Sequence, residues 1–299
     1  MQLVIVGSVG LDTIETPSAR RADVLGGSAS YACAAASFFA RTGMVGVVGH
    51  DFGDDYLDVY RAFGFDLLGL QVRQGRTFRW SGVYEDNMDN RRTLSTELNV
   101  FAEFAPELPE NYRRAPFLFL ANIAPSLQLR VLEQMRAPRF IAADTMDLWI
   151  NVALNDLKKV IRKIDLLTLN ESEARHLTGQ RALIKAARTL LGWGPQHILI
   201  KKGEHGAILF SRSSAFLMPA FPLEAVQDPT GAGDTFAGGF IGHLAANGRV
   251  TERALRRAML YGSVVASFNV EAFSLDRLRA LKRRNIERRV REFERMLQV

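Results

Sequence analysis

The reading of this chain turns on QDPTGAGDTFAGGFIGHLAANG, residues 227–248. Gly231 and Gly233 bracket Ala232 where an extended segment passes into a helix, so successive backbone N–H groups can point at one spot with no side chain in the way. Such a spot binds anions. Asp234 falls in the first helical turn beside the same donors, which puts an ionisable carboxylate next to a bound phosphoryl group. An anion hole and a base within one turn are what in-line phosphoryl transfer requires. Gly238 and Gly239, one turn on, strip bulk from the helix and let another backbone come close. The competing account is a turn at Pro229 and Thr230, a helix capped by Asp234, and glycines kept for packing.

On either side of this stretch, short apolar runs alternate with helix-period segments, the pattern of a sheet layered with helices. Strands are expected at 3–8, 44–49, 117–123, 140–146, 165–170, 197–203 and 207–211. Helices are expected at 28–41, 126–136, 181–191 and 232–246, and almost continuously from Thr251 onward. Two stretches break the alternation, 13–25 and 74–103. In the second, Phe78, Trp80 and Tyr84 recur at even spacing and share one face of a strand ribbon. Such a ribbon covers something, pairs with a second subunit, or is an ordinary edge hairpin on its own core.

With 47% hydrophobic and 23% charged residues in 299, one large α/β domain with a small appendage fits better than two equal ones. A single cysteine, Cys33, rules out an intrachain disulfide and a thiolate metal cluster, and a reducing cytoplasm is the expected setting. The opening MQLVIVGSVG has no basic leader, and no later run is long enough to span a bilayer, so no membrane partner is expected. Much of the net charge of +6 falls late, at 253–257 and 282–296, where Glu287, Glu292 and Glu294 intervene. That alternation suits a solvated helix face with i,i+4 pairs rather than a nucleic-acid track. The five histidines show neither metal-ligand spacing nor a paired nucleophile. No GxxxxGK[ST] and no GxGxxG occurs, which argues against P-loop and Rossmann chemistry.

The run DPTGAGDTFAGGF closely resembles the C-terminal signature of the ribokinase (PfkB-type) carbohydrate kinases, and the resemblance extends over nearly the whole chain. GSVGLD resembles that family's first strand, whose aspartate, here Asp12, holds substrate hydroxyls. Residues 25–55 are similar to its N-terminal signature, in which Gly26 and Gly27 let the substrate lie against bare backbone. LLTLNESEARHLTG, 166–179, is similar to the element in which Asn170 and Glu173 would orient Mg²⁺ and the ATP phosphates, largely through water. LIKKGEHGAILF, 199–210, resembles the nucleotide-binding turn, implying Lys202, Gly203 and Gly206 near phosphates or ribose. The same resemblance places Thr230 by the nucleotide and Asp228 at a monovalent-cation site such as K⁺.

Chemistry supports these transfers separately, since Asp12 and Asn170 end strands, where ligands of open α/β sheets sit. Asn122 and Asp144 end two more and are candidate hydroxyl partners, with loop polarity as the alternative. Many sugar kinases of the family carry asparagine where this chain has Gly10 and Tyr31. Tyr31, with Phe78, Trp80 and Phe101, offers rings that could stack on a nucleobase. The resemblance therefore implies a ribokinase-like α/β fold, with a mostly parallel sheet, flanking helices and a small β lid from 13–25 and 74–103, which is also the candidate surface for a homodimer. It implies an ATP- and Mg²⁺-dependent kinase acting on a hydroxyl, a primary alcohol, of a nucleoside or sugar, with Asp234 as base and the Gly231, Ala232 and Gly233 amides as anion hole; the aromatic rings lean toward a nucleoside. The alternatives are a sugar or sugar-phosphate kinase, or a ligand-sensing member without activity.

Overall fold

The computed structural model describes residues 1–88 and 90–298. The chain starts with β1 (Leu3–Val6), leaves for β2 (Gly10–Glu15) and β3 (Arg20–Gly26), and returns through α1 (Ser28–Ser37) to β4 (Thr42–Gly49), α2 (Asp54–Phe63) and β5 (Asp66–Arg73). A second excursion makes β6 (Phe78–Tyr84) and β7 (Arg91–Glu97). Strand–helix alternation then runs through β8 (Phe117–Leu120), α3 (Pro125–Gln134), β9 (Phe140–Asp144), α4 (Asp147–Val152), α5 (Leu154–Ile161), β10 (Leu166–Asn170), α6 (Glu171–Thr178), α7 (Leu183–Leu191) and β11 (His197–Lys201). After β12 (Ala207–Phe210) and β13 (Ala215–Met218), the chain is helical in α8 (Ala232–Asn247), α9 (Glu252–Asn269), α10 (Asp276–Arg279) and α11 (Arg283–Met296).

The large sheet has nine strands in the order β13-β12-β11-β10-β9-β8-β1-β4-β5, parallel from β11 to β5 and antiparallel at β12 and β13. Strand order reverses at β1, which pairs with β4 on one side and β8 on the other, so the carboxyl ends of β1, β8 and β9 open the crevice where such sheets bind ligands. Alternation sorts the strands between two layers. Leu3, Ile5, Phe140, Ala142 and Leu199 join the core beneath α1, α8 and α9, while Val4, Val6, Ile141, Ile198 and Ile200 join the core on the other face.

Helix α8 is wedged between α1 and α9 by the absence of side chains. A Cβ on Gly238 would lie 2.2 Å from the Ala32 carbonyl oxygen, and one on Gly242 would lie 2.6 Å from Ala36 Cα. On the opposite side, a Cβ on Gly239 would be 3.2 Å from Gly262 Cα of α9. This close packing fixes where the first turn of α8 points.

The second sheet, β3-β2-β6-β7, is built from the two excursions, and its first strand starts at Gly10, ahead of the stretch that composition marked. Register sets Gly10, Asp12 and Ile14 of β2 opposite Phe78, Trp80 and Gly82 of β6. Several elements went unread in sequence, among them α2, α4, α5 and β13, and also β5 on the sheet edge, whose Asp66, Gly69 and Gln71 dilute any apolar run. In α11 the glutamates serve Arg283 within the helix and Arg257 of α9, both as ion pairs. Among the described residues no helix is long and apolar enough to cross a membrane.

Candidate active site

Gly231 takes up the left-handed conformation, φ 72°, and α8 begins behind it with no side-chain cap. A helix start without a cap leaves amides for something else. The Ala232 N–H turns back to the Pro229 carbonyl at 3.2 Å, and the first intrahelical bond runs from Thr235 N–H to Gly231 O at 2.8 Å. The expected trio of donors is thus corrected at its centre. Ala232 is committed to the turn, and the neighbouring amides of Gly231, Gly233 and Asp234 remain. By contrast, α6 is closed by a reciprocal capping box, in which Asn170 Oδ1 accepts from Glu173 N–H at 2.8 Å and the Glu173 carboxylate accepts from Asn170 N–H at 2.7 Å. Of these two helix starts, only that of α8 is open to an anion.

Asp234 sits among charges that set its proton affinity. Burial and the nearby Asp144 carboxylate push it up to about 7, against the pull of Lys201 and Arg91. Lys201 was missed in sequence in favour of its neighbour. Its ammonium pairs with Asp144 at 2.8 Å and stands 3.2 Å from where a Gly233 Cβ would be, beside the open helix start. Burial pulls Lys201 down, but Asp144, Glu173 and Asp234 together hold it above its ordinary value. The signal was strand parity: Lys201 shares a face with Leu199, the face under α8. Lys202 instead lies near Glu171, 3.9 Å away.

On the other side of the pocket, Asp12 rests against Gly26, whose Cβ would come within 2.0 Å of the carboxylate. Burial, then Asp228, raise Asp12 to about 8, and Gly27 N–H donates to it. Tyr31 lays its ring on Gly231, 2.4 Å from the position of an added Cβ, and is only 1% exposed. Its ring faces are therefore committed to packing rather than open for a base, and the hydroxyl has no partner among the described residues. The Gly10 departure has a physical counterpart, because the Phe78 ring fills the space a side chain there would need, 2.6 Å from its Cβ. Phe78 packs in turn on Phe101, ring centres 5.5 Å apart. Trp80 leans over Gly82 and carries the Arg91 guanidinium 5.2 Å from its ring centre. Arg91, unnoticed in sequence, brings the small sheet's positive charge to bear on Asp12 and Asp234.

Other expected residues hold the site together. Asp228 accepts from Thr230 N–H at 2.8 Å and from Ser274 N–H at 3.2 Å, while the Thr230 hydroxyl donates to Tyr84 OH at 3.1 Å, tying the loop to the small sheet. Both Asp228 oxygens are thereby engaged. The Asn122 amide is spent on Trp149 Nε1, 2.8 Å, and on Met146 Sδ, which turns it away from a hydroxyl-binding role. Gly203 and Gly206 form the β11–β12 turn, and a Cβ on Gly206 would meet the Met218 carbonyl oxygen at 2.1 Å, so close backbone packing accounts for that glycine. Among the described residues no three acidic, His or Cys side chains form a metal cage. Glu173, raised to about 7 by burial and then Asp144, fits a Mg²⁺ that arrives on nucleotide phosphates, which needs only one or two protein carboxylates.

Known proteins bear on this geometry. Residues 6–276 match the pfkB family carbohydrate kinase. The cytidine kinase of Thermococcus kodakarensis is 30% identical over 263 residues, covering 86% of this chain and 92% of that one. In three dimensions the chain is similar to the nucleoside kinase of Burkholderia thailandensis in complex with inosine, with TM-score 0.80, 20% identity and 97% of each chain covered. It is equally similar to an Escherichia coli candidate ribokinase II in complex with ATP and Mg²⁺, with TM-score 0.80, 18% identity, 97% of this chain and 99% of that one. The fold is thus ribokinase-like, and the chain belongs to the pfkB family of carbohydrate kinases, phosphotransferases that act on an alcohol group.

Proposed function

We propose that this kinase transfers the γ-phosphoryl group of ATP to a primary hydroxyl of a nucleoside. The carrying observation is Asp234, a carboxylate poised near neutrality in the first turn of an uncapped helix and flanked by Lys201. The acceptor hydroxyl gives its proton to Asp234 as its oxygen bonds to the γ-phosphorus and the bond to the β,γ-bridging oxygen breaks. The amides of Gly231, Gly233 and Asp234 and the Lys201 ammonium lie where charge gathers on the moving group. Glu173 and Asn170 would hold, through water, a Mg²⁺ carried on the phosphates, which would supply neutralisation of their charge. Asp12, seated on Gly26 and Gly27, takes the acceptor's other hydroxyls.

A nucleoside is favoured over a free sugar by the rings of Phe78 and Trp80 on the same face as Asp12, and by the cytidine kinase relative. The second sheet, standing over this pocket, acts in this reading as a lid. Its edge strand β7 is exposed at every residue, Leu94 included, and offers the surface for a homodimer. Buried Cys33 suits a cytoplasmic setting. Coupled ADP release screened across nucleosides, pentoses, hexoses and sugar phosphates tests the assignment. Turnover confined to sugars or sugar phosphates would refute it.

A further inference from the structure

Where α8 ends and α9 begins, the chain encloses an open cavity of about 500 Å³. Helix α8 is 16 residues long, roughly 24 Å at ~1.5 Å per residue, so this cavity and the helix start at Gly231 lie at opposite ends of one helix. Its charge is one-sided: the lining includes Arg249, Arg253 and Arg257 and, among the described residues, no acidic side chain. Arg257 is held by Glu294 of α11 and lies over the Tyr261 ring. The side chains of Arg249 and Arg253 have neither an ion pair nor a hydrogen bond among the described residues. Arg253 and Arg257 stand one turn apart on α9, where like charges repel and destabilise a helix unless a counter-charge lies between them.

The backbone favours the same sign of ligand. At the end of α8 the Gly248 carbonyl accepts from Arg139, and the Asn247 side-chain amide donates to the His243 carbonyl at 2.8 Å, so the negative pole of that helix is already occupied. At the start of α9, Thr251 Oγ1 accepts from Ala254 N–H at 3.2 Å, which leaves the Glu252 and Arg253 amides without a partner among the described residues. The wall behind is firm, because His243 stacks on Tyr261 with ring centres 4.0 Å apart.

We infer that this cavity is a second anion site, which takes a compact molecule carrying linked phosphates, of the class of a nucleoside diphosphate or triphosphate. A guanidinium pairs two phosphate oxygens at once, and three of them around one hollow suit several phosphates rather than one. The volume is that of a small-molecule site. It is built from residues that the phosphoryl-transfer reading does not use, so it goes beyond that reading and stands without it.

Inorganic tripolyphosphate is the probe, since it carries linked phosphates and nothing else. Calorimetric titration of the full chain compares the wild type with Arg249→Ala/Arg253→Ala, which removes two exposed side chains and opens no core. Expected is a binding event in the wild type that the double variant weakens roughly tenfold or more, with kcat and the KM for ATP unchanged. Arg288→Ala/Arg291→Ala takes the same charge from a neighbouring hollow on α11. At physiological ionic strength, where charges more than ~8 Å apart are largely screened, it should leave that event within about twofold. Equal weakening by both variants would show a diffuse field of charge and overturn the inference, as would titration curves identical in the wild type and the Arg249/Arg253 variant. Single-stranded RNA bound through the arginines of both helices, with tripolyphosphate unable to compete, would overturn it in favour of an extended phosphate track.

Discussion

Lys201→Met removes the positive charge beside the first turn of α8 without adding bulk. In the wild type, Asp234 is held near 7 by burial and Asp144, with Lys201 opposing both. The ammonium stands 3.2 Å from the Cβ position of Gly233, the residue before Asp234, and a unit charge roughly 6 Å from a carboxylate is worth ~2.8 kcal/mol for an effective dielectric of ~20. That is ~2 pKa units, and solvent screening brings it to about 1–2. The loss also strands Asp144, whose side chain is 5% exposed and whose ion pair measures 2.8 Å. The acid limb of kcat/KM for the acceptor, recorded at fixed ATP so that the nucleotide's own ionisation is common to both proteins, should move upward by that amount. Lys201→Met with Asp144→Asn removes both opposing charges and should return the inflection to the wild-type value or slightly below, because Asp144 is the stronger influence. The double variant also separates electrostatics from misfolding. An inflection that stays put or moves down in the single variant would refute the assigned field.

Four further outcomes are expected. Asp234→Asn should lower kcat by at least roughly a hundredfold while ATP affinity, followed by fluorescence or calorimetry, is kept. Because the folded pKa of Asp234 is raised, the stability contributed by its protonated form is complete below ~4 and lost as pH rises through about 7. The same variant should therefore gain thermal stability at pH 8 more than at pH 5. Gly238→Ala places a methyl 2.2 Å from the Ala32 carbonyl oxygen, a backbone atom that cannot step aside, and should cost about 1–3 kcal/mol by denaturant titration. Gly53→Ala, with nothing within 4 Å, is its neutral control. Turnover in K⁺ and in tetramethylammonium should differ little, since N–H donors already engage both Asp228 oxygens. A many-fold dependence would show a cation at that carboxylate.

What could be read from residues alone follows the range of the interactions involved. Helix α8, its uncapped start at Gly231 and its packing glycines were legible because turn and helix geometry are local to a few residues. The strands from β8 to β12 were legible because both faces are buried, which leaves near-continuous apolar runs. Lys201 was readable in principle by its parity with Leu199, but which face meets α8 depends on the crossing of distant segments. Asn122 ends a strand at the right height and still points its amide at Trp149, a partner 27 residues on. Tyr84 was legible only as one of an even-spaced aromatic row and Arg91 not at all, since their relation to the loop of Asp228 exists only once the small sheet has been assembled.

That assembly constrains the order of folding. Strands β2 and β6 pair side by side in parallel, Gly10 against Phe78, although α1, β4, α2 and β5 all intervene. Closing so large a loop before the major sheet has formed would carry its full entropic penalty with little reward. The β1, β4 and β5 scaffold should therefore condense first and hold the two excursions close enough to meet. Residues at that junction would then speed unfolding when mutated and leave refolding rates nearly unchanged.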